Sequence, residues 1–133
     1  MLFRSGYAQA DFEESLIGRS YYLGIFHRNT LETWSAQAVK IGPGFNYDFT
    51  DNATKALGAA QMQLGTNIYG LYSGDLNQDG SINRADLTFF EQASFFTTGT
   101  YSSEDLNGDG IIESADYSFL ENGVSLAPVV VRP

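Results

Sequence analysis

The stretch Asp75-Leu-Asn-Gln-Asp-Gly-Ser-Ile-Asn-Arg-Ala-Asp86 returns thirty residues later as Asp105-Leu-Asn-Gly-Asp-Gly-Ile-Ile-Glu-Ser-Ala-Asp116. Extended to Ala93 and Gly123, the overlay gives ten identities in nineteen positions, concentrated in the acids, the central glycine, the isoleucine after it and the start of an apolar run. A repeat of this kind marks two copies of one supersecondary unit. The spacing has a physical reason: a hard cation takes six to eight oxygens at short range, and a tight loop can turn alternate side chains toward its centre. The first loop then offers Asp75, Asn77 and Asp79 by their side chains, Ser81 by its backbone carbonyl, Asn83 directly or through water, and Asp86 at the close. The second offers Asp105, Asn107, Asp109, the carbonyl of Ile111, Glu113 and Asp116. Gly80 and Gly110 fall at the sixth position, where the chain must turn sharply. Asp, Asn and Gly are also ordinary turn residues, but two copies in register, each closed by an acid at position twelve, go beyond turn chemistry. The pattern points to two Ca2+ sites, with the extra acid Glu113 favouring tighter binding in the second.

The residues around the loops extend the pattern. Ile82 and Ile112 hold the eighth position, suited to a short pairing between the loops. Leu87 and Phe90 in one copy, Tyr117 and Leu120 in the other, have helical spacing after the closing aspartate.

Charge follows the same division. Of a net charge of -9, the first seventy residues carry six acids and five bases, and the last sixty-three carry ten acids and two bases. An acidic balance of this size argues against nucleic acid and anionic membranes as partners. The absence of cysteine excludes disulfides, thiolate zinc sites, iron–sulfur clusters and a cysteine nucleophile, and a single histidine excludes multi-histidine metal sites. No apolar run reaches the length of a membrane span, so membrane insertion is not expected. Residues 1–15 lack the order of a signal peptide; the expectation is that export is directed elsewhere or that the chain is the C-terminal piece of a longer secreted polypeptide.

The C-terminal half, about residues 74–124, resembles a type I dockerin, the paired calcium-loop module that attaches secreted polysaccharide-degrading proteins to cohesins. Aspartate rather than glutamate at position twelve carries the resemblance, as does Tyr69-Gly-Leu-Tyr-Ser-Gly74, which reads as strand and turn rather than an entering helix. The resemblance implies an extracellular or cell-surface setting and a cohesin-like partner, or a supporting role in a larger secreted polypeptide. It departs at loop positions ten and eleven, where small hydroxyl residues usually read the cohesin: here they are Arg84-Ala85 and Ser114-Ala115, and only Ser114 fits. The full arrangement also looks like the C-terminal end of large bacterial secreted proteins.

In the N-terminal half, residues 21–27 and 33–41 are β-branched and aromatic runs that predict neighbouring antiparallel strands. Gly42-Pro-Gly44 breaks the chain. Residues 45–49 read as a short strand, 51–57 as a helical turn capped by Thr50 or Asp51, 67–72 as a last strand, and 129–131 as a returning edge strand. The expected fold is α+β: a small antiparallel β-sheet or partial sandwich (residues 1–72) packed on a dockerin-like pair of calcium-binding loop-helix motifs (residues 73–133), the two forming one unit because seventy residues make a marginal core alone.

Two function classes follow. The first is a calcium-binding, calcium-stabilised extracellular attachment or support module. The second is a small calcium-dependent hydrolase acting on an ester, lactone or glycoside, with His27 as general base or Asp48 as helper; His27 is the only imidazole, beside Arg28 in sequence, and the reading would need Asp48 or Glu32 near it in space. Against the second, each loop can fill its own metal, and neither a Gly-x-Ser-x-Gly elbow nor a His-Glu-x-x-His helix is present. Trp34, Tyr21, Tyr22 and Tyr47 suit a sugar-stacking platform or, more ordinarily, cross-strand packing. Asn52-Ala-Thr54 matches a glycosylation acceptor, a pattern too common to use.

Overall fold

The computed structural model describes residues 9–92 and 102–133. Their strands are short: β1 (Ser20–Tyr21), β2 (Gly24–Ile25), β3 (Thr33–Trp34), β4 (Val39–Lys40), β5 (Met62–Gly65) and β6 (Ile68–Gly70), followed by the helices α1 (Arg84–Glu91) and α2 (Ser114–Leu126). The class is mixed α+β. The strands divide into three two-stranded antiparallel ladders, β1–β4, β2–β3 and β5–β6, in place of the single sheet expected.

The first two ladders are one hairpin interrupted at its middle. Gly24 faces Trp34 and Ile25 faces Thr33, whereas Tyr21 faces Val39 and Ser20 faces Lys40, a shift of two residues in register. Ser35 fills the gap: its hydroxyl accepts from the Leu23 amide at 3.0 Å and donates to the Gln37 carbonyl at 2.9 Å. The β5–β6 hairpin, absent from the sequence expectations in its first strand, turns at Thr66–Asn67. Asn67 has φ +55°, a left-handed conformation that asparagine tolerates.

Residues 45–49 form no strand. Side chains make contacts here instead: Gln61 Nε2 donates to the Phe49 carbonyl at 2.6 Å and the Tyr47 hydroxyl to the Lys55 main-chain carbonyl at 2.7 Å. The turn that follows is a 3-10 helix, Ala53–Lys55. Its cap is Asn52, which accepts from the Thr54 amide, rather than Thr50 or Asp51.

The main core lies in the C-terminal half, where Leu76, Phe90, Ile112 and Leu120 are buried together with Leu87, Leu106, Tyr117 and Val124 packed around them. Phe90 near the end of α1 meets Tyr117 near the start of α2, ring centroids 5.6 Å apart. At its other end α2 approaches the entry to the first loop. A Cβ added at Gly123 would stand 2.6 Å from the Ser73 carbonyl oxygen and 3.2 Å from Ile82. The N-terminal half buries Leu31, Ile41, Ala56 and Ala60, but also the polar Asn29, Thr33, Ser35 and Gln61; hydrogen bonds carry much of its organisation.

Two segments join the halves. Thr30 bridges Ser73 antiparallel, flanked by the Leu31 amide on the Tyr72 carbonyl (2.8 Å) and the Gly74 amide on the Asn29 carbonyl (2.7 Å). The second is the tail. After α2 ends at Ala127 in a left-handed conformation, Pro128 begins a segment that lies along the first loop. Val129 bridges Ser81, the Ile82 amide donates to the Pro128 carbonyl (3.0 Å) and the Val130 amide to the Gly80 carbonyl (2.8 Å). The expected edge strand therefore pairs with the first loop, and Ile82 spends its backbone on the tail. Among the described residues no bridge ties Ile82 to Ile112. Farther on, Arg132 Nε and Nη2 donate to the two carboxylate oxygens of Glu32 at 2.9 and 2.8 Å.

Candidate metal centre

The two loops repeat the same hydrogen bonds, so the sequence repeat is also a repeat of geometry. At position twelve, Asp86 and Asp116 are fully buried. One oxygen of Asp86 accepts from the amides of Leu76 (2.9 Å) and Asn77 (3.3 Å), and the other from Asn83 (2.9 Å). Asp116 does the same with Leu106 (2.9 Å), Asn107 (3.0 Å) and Glu113 (3.0 Å). Each closing carboxylate thus pins the start of its loop to its end and opens the following helix. At α1 the second half of a capping box is the Asn83 side chain, which accepts from the Asp86 amide, and Asn83 Oδ1 also accepts from the Ala85 amide at 2.8 Å. An aspartate suits this place because its short side chain reaches loop amides and helix N-terminus at once.

Positions three and five form a second repeated element. Asn77 Oδ1 accepts from the Asp79 amide and Asp79 Oδ1 from the Ser81 amide, each at 2.9 Å. Asn107 and Asp109 repeat this with the Asp109 amide (2.7 Å) and the Ile111 amide (2.8 Å). These side chains are exposed. Among the described residues no three His, Asp or Glu side chains stand grouped about one point. The carboxylates are held by backbone amides and by the asparagines, and a carboxylate oxygen so engaged keeps lone pairs for a further partner.

Position one separates the copies. Asp105 Oδ1 accepts from the Gly108 amide (2.7 Å) and Oδ2 from the Gly110 amide (3.1 Å). Asp75 Oδ2 accepts from the Gly80 amide at 3.1 Å, but Asp75 Oδ1 is buried and has no hydrogen-bond partner among the described residues. Burial pushes the Asp75 carboxyl above its usual range. The Gly80 amide opposes that, and repulsion from Asp86 and Asp79 adds to it. A buried carboxylate oxygen with nothing to bond is costly, and a positive ion drawn to these acids would relieve both the desolvation and the repulsion. The donor set is all oxygen, the chemistry of a hard cation such as Ca2+. Asp75, Asn77, Asp79, Asn83 and Asp86 with the Ser81 carbonyl, and their counterparts in the second loop, supply donors of that kind.

Three residues that the ligand pattern does not mark hold these loops: Gln78 from within the first, and Arg28 and Asn29 from the N-terminal half. Gln78, at φ +60°, donates through Nε2 to the carbonyls of His27, Arg28 and Asp75 at 3.2, 3.3 and 2.9 Å. The mismatch of Gln78 with Gly108 at position four was its one sequence signal. Arg28 donates from Nε to the Ser102 carbonyl and from Nη2 to the Asp105 carbonyl, both 2.9 Å, and Asn29 Nδ2 donates to the same Asp105 carbonyl at 3.1 Å.

The side chains of the catalytic candidates are engaged in separate local contacts. His27 Nε2 accepts from Arg28 Nη1 at 3.2 Å. Its partial burial, and then the Arg28 charge, hold the imidazole below its ordinary range. Asp48 Oδ1 accepts from the Thr50 amide and hydroxyl, both 2.7 Å, and these bonds hold its carboxyl low. Glu32 faces Arg132 and the Trp34 indole N–H. The aromatics fall into separate pairs: Trp34 edge-on to Phe26 at 5.7 Å, and Tyr47 edge-on to Phe49 at 4.7 Å.

Among the described residues no helix is long and apolar enough to cross a membrane. No curated protein and no solved structure matches the chain. The family model of the type I dockerin domain matches residues 73–125, less than half of the chain. The match takes in both loops, both closing aspartates and nearly all of α2, and the C-terminal part of this chain is a dockerin-like module.

Proposed function

We propose that the module is a calcium-dependent attachment device, joining this chain to a cohesin-like protein or steadying the end of a larger secreted polypeptide. The setting it fits is extracellular or at the cell surface, in a polysaccharide-related protein. The observation that carries the reading is Asp75 Oδ1, a buried carboxylate oxygen without a partner among the described residues, beside Asp79 and Asp86 in a loop whose twin repeats the bonds of its closing aspartate and of positions three and five. The proposed ligands are Asp75, Asn77, Asp79, Ser81 through its carbonyl, Asn83 and Asp86, then Asp105, Asn107, Asp109, Ile111 through its carbonyl, Glu113 and Asp116, one Ca2+ in each loop. Bound calcium supplies positive charge that offsets carboxylate repulsion and so stabilises the fold. The chain's own part is to fix the helices: the closing aspartates start α1 and α2, and the first turns present Arg84, Ala85, Ser114 and Ala115 at or near the surface.

A set of cohesins captured on a surface tests the proposal. Binding is expected with calcium and is expected to vanish with a chelator. Ser114→Asp combined with Ala115→Glu should weaken it about tenfold or more while leaving calcium stoichiometry unchanged. A cohesin complex indifferent to that pair would overturn the assigned surface. Calcium-dependent turnover of esters, lactones or glycosides by the same samples would replace attachment with hydrolysis.

A further inference from the structure

The two loops are thirty residues apart in sequence, yet residues 27–29 of the N-terminal half grip both. On the first loop, Gln78 Nε2 lies 3.2 and 3.3 Å from the carbonyls of His27 and Arg28, and the Asn29 carbonyl accepts from the amide of Gly74, the residue before Asp75, at 2.7 Å. On the second, Arg28 and Asn29 converge on the carbonyl of Asp105 at 2.9 and 3.1 Å, and Arg28 Nε reaches the Ser102 carbonyl at 2.9 Å. Arg28 Nη2 also stands 4.0 Å from Asp105 Oδ2. Asn29 is 2% exposed, so its contacts are made without competition from solvent.

We infer that this tripeptide is a strap that couples the two loops, with Arg28 as its positioning residue. The inference rests on the calcium reading of the loops. The route is short: Asp105 carbonyl, Asn29 side chain, Asn29 carbonyl, Gly74 amide, Asp75. A cation that pulls the Asp105 carboxylate inward moves a backbone whose carbonyl is fixed to the strap. The same strap fixes the residue ahead of Asp75, so ordering one loop lowers the entropy left to be lost in ordering the other. A guanidinium suits the task because its planar fork meets two carbonyls of one chain segment at fixed spacing. Since the strap lies outside residues 73–125, the N-terminal half is a working part of the metal module.

Calorimetric calcium titration of the full chain tests this. Asp79→Ala, an exposed change that disables the first loop, should weaken calcium binding at the second about fivefold or more. In an Arg28→Ala background the same change should alter it by less than about twofold. A merely destabilising Arg28→Ala would shift both affinities and leave their dependence intact, and that result would overturn the strap. Gln78→Gly relieves a left-handed glutamine and removes the bonds to the His27 and Arg28 carbonyls while leaving the Asn29–Gly74 bond in place; it should reduce the dependence in part, and full retention would count against the inference. Amide exchange in chelator separates the strap from the calcium reading: Arg28→Ala should accelerate exchange at both Gly74 and Gly110, whatever the metal result. Acceleration confined to Gly110 would overturn the coupling, whereas absence of calcium binding in the unmodified chain would overturn the reading of the loops.

Discussion

The first and second loops share a sequence pattern and a hydrogen-bond pattern but differ in what surrounds them. The first is embedded. Its Gly80 lies under Val130 of the tail, its Gln78 reaches residues 27 and 28, and its entry is paired to residues 29–31. Around the glycines of the second, no described residue comes within 4 Å of where a Cβ would stand at Gly108 or Gly110. Position four shows what the difference does. Both residues there are left-handed, φ +60° at Gln78 and +78° at Gly108. In the second loop the Gly108 amide satisfies Asp105 Oδ1, whereas in the first the corresponding Asp75 Oδ1 has no partner among the described residues. Duplicated sequence gives duplicated ligands; the environment decides how well each loop is satisfied by protein alone.

Leu120 gives the largest test of that comparison, because it belongs to the second copy and packs at the first. It is fully buried, and a Cβ at Gly74 would lie 2.9 Å from its Cδ1. Leu120→Ala should destabilise the fold by about 2–5 kcal/mol in chemical denaturation and weaken calcium binding in both loops. Loss confined to the second loop would mean the copies fold independently.

The paired glycines sharpen it. Gly80 and Gly110 have nearly equal φ, +87° and +88°, so an added side chain meets the same backbone strain of about 1–2 kcal/mol at either place. At Gly80 the new Cβ would also lie 2.7 Å from Val130 Cγ1. Gly80→Ala should therefore be the more destabilising by about 1 kcal/mol or more, read from denaturation midpoints, and should loosen amide protection at Val130. Equal penalties would show that the tail gives way freely.

The smallest effect concerns the tail's far end. Hydrogen bonds from Arg132 hold the Glu32 carboxyl below its ordinary range, partial burial opposes them, and the Trp34 indole N–H adds to them. With the folded value below the unfolded one, the pair's contribution is complete above the ordinary glutamate range and is lost as pH falls through the folded value. Arg132 is exposed, so the effect is screened and small. The unfolding midpoint of the unmodified chain should fall more steeply below about pH 4.5 than that of Glu32→Gln. Parallel curves would remove this tie between tail and N-terminal half.

How much of this could be read from the sequence follows from distance along the chain. The loops were legible because their ligands, glycines and closing acids lie within twelve residues, where spacing is geometry. The helices followed because Asp86 and Asp116 cap them locally. The N-terminal half was legible only as extended chain, since its order depends on contacts no local pattern announces: Arg28 with Asp105 lies 77 residues apart, and Glu32 with Arg132, 100. Residues 45–49 look like a strand in composition, but Gln61 and Lys55 take up the contacts a neighbouring strand would make. Met62–Gly65 is a weak sequence signal, four residues with a single apolar–polar alternation ending in Gly, and in the structure both Gln63 and Leu64 are exposed. The eighth-position isoleucines were expected to pair across the loops, and the tail, a stretch of valines with no spacing cue, pairs with the first instead.

Calorimetric titration of chelator-stripped protein with calcium, with thermal unfolding followed in parallel, tests the central claim most directly. Two ions bound per chain and a marked rise in the unfolding temperature are the predicted result. Heat no greater than dilution and an unfolding temperature unmoved by calcium would contradict it.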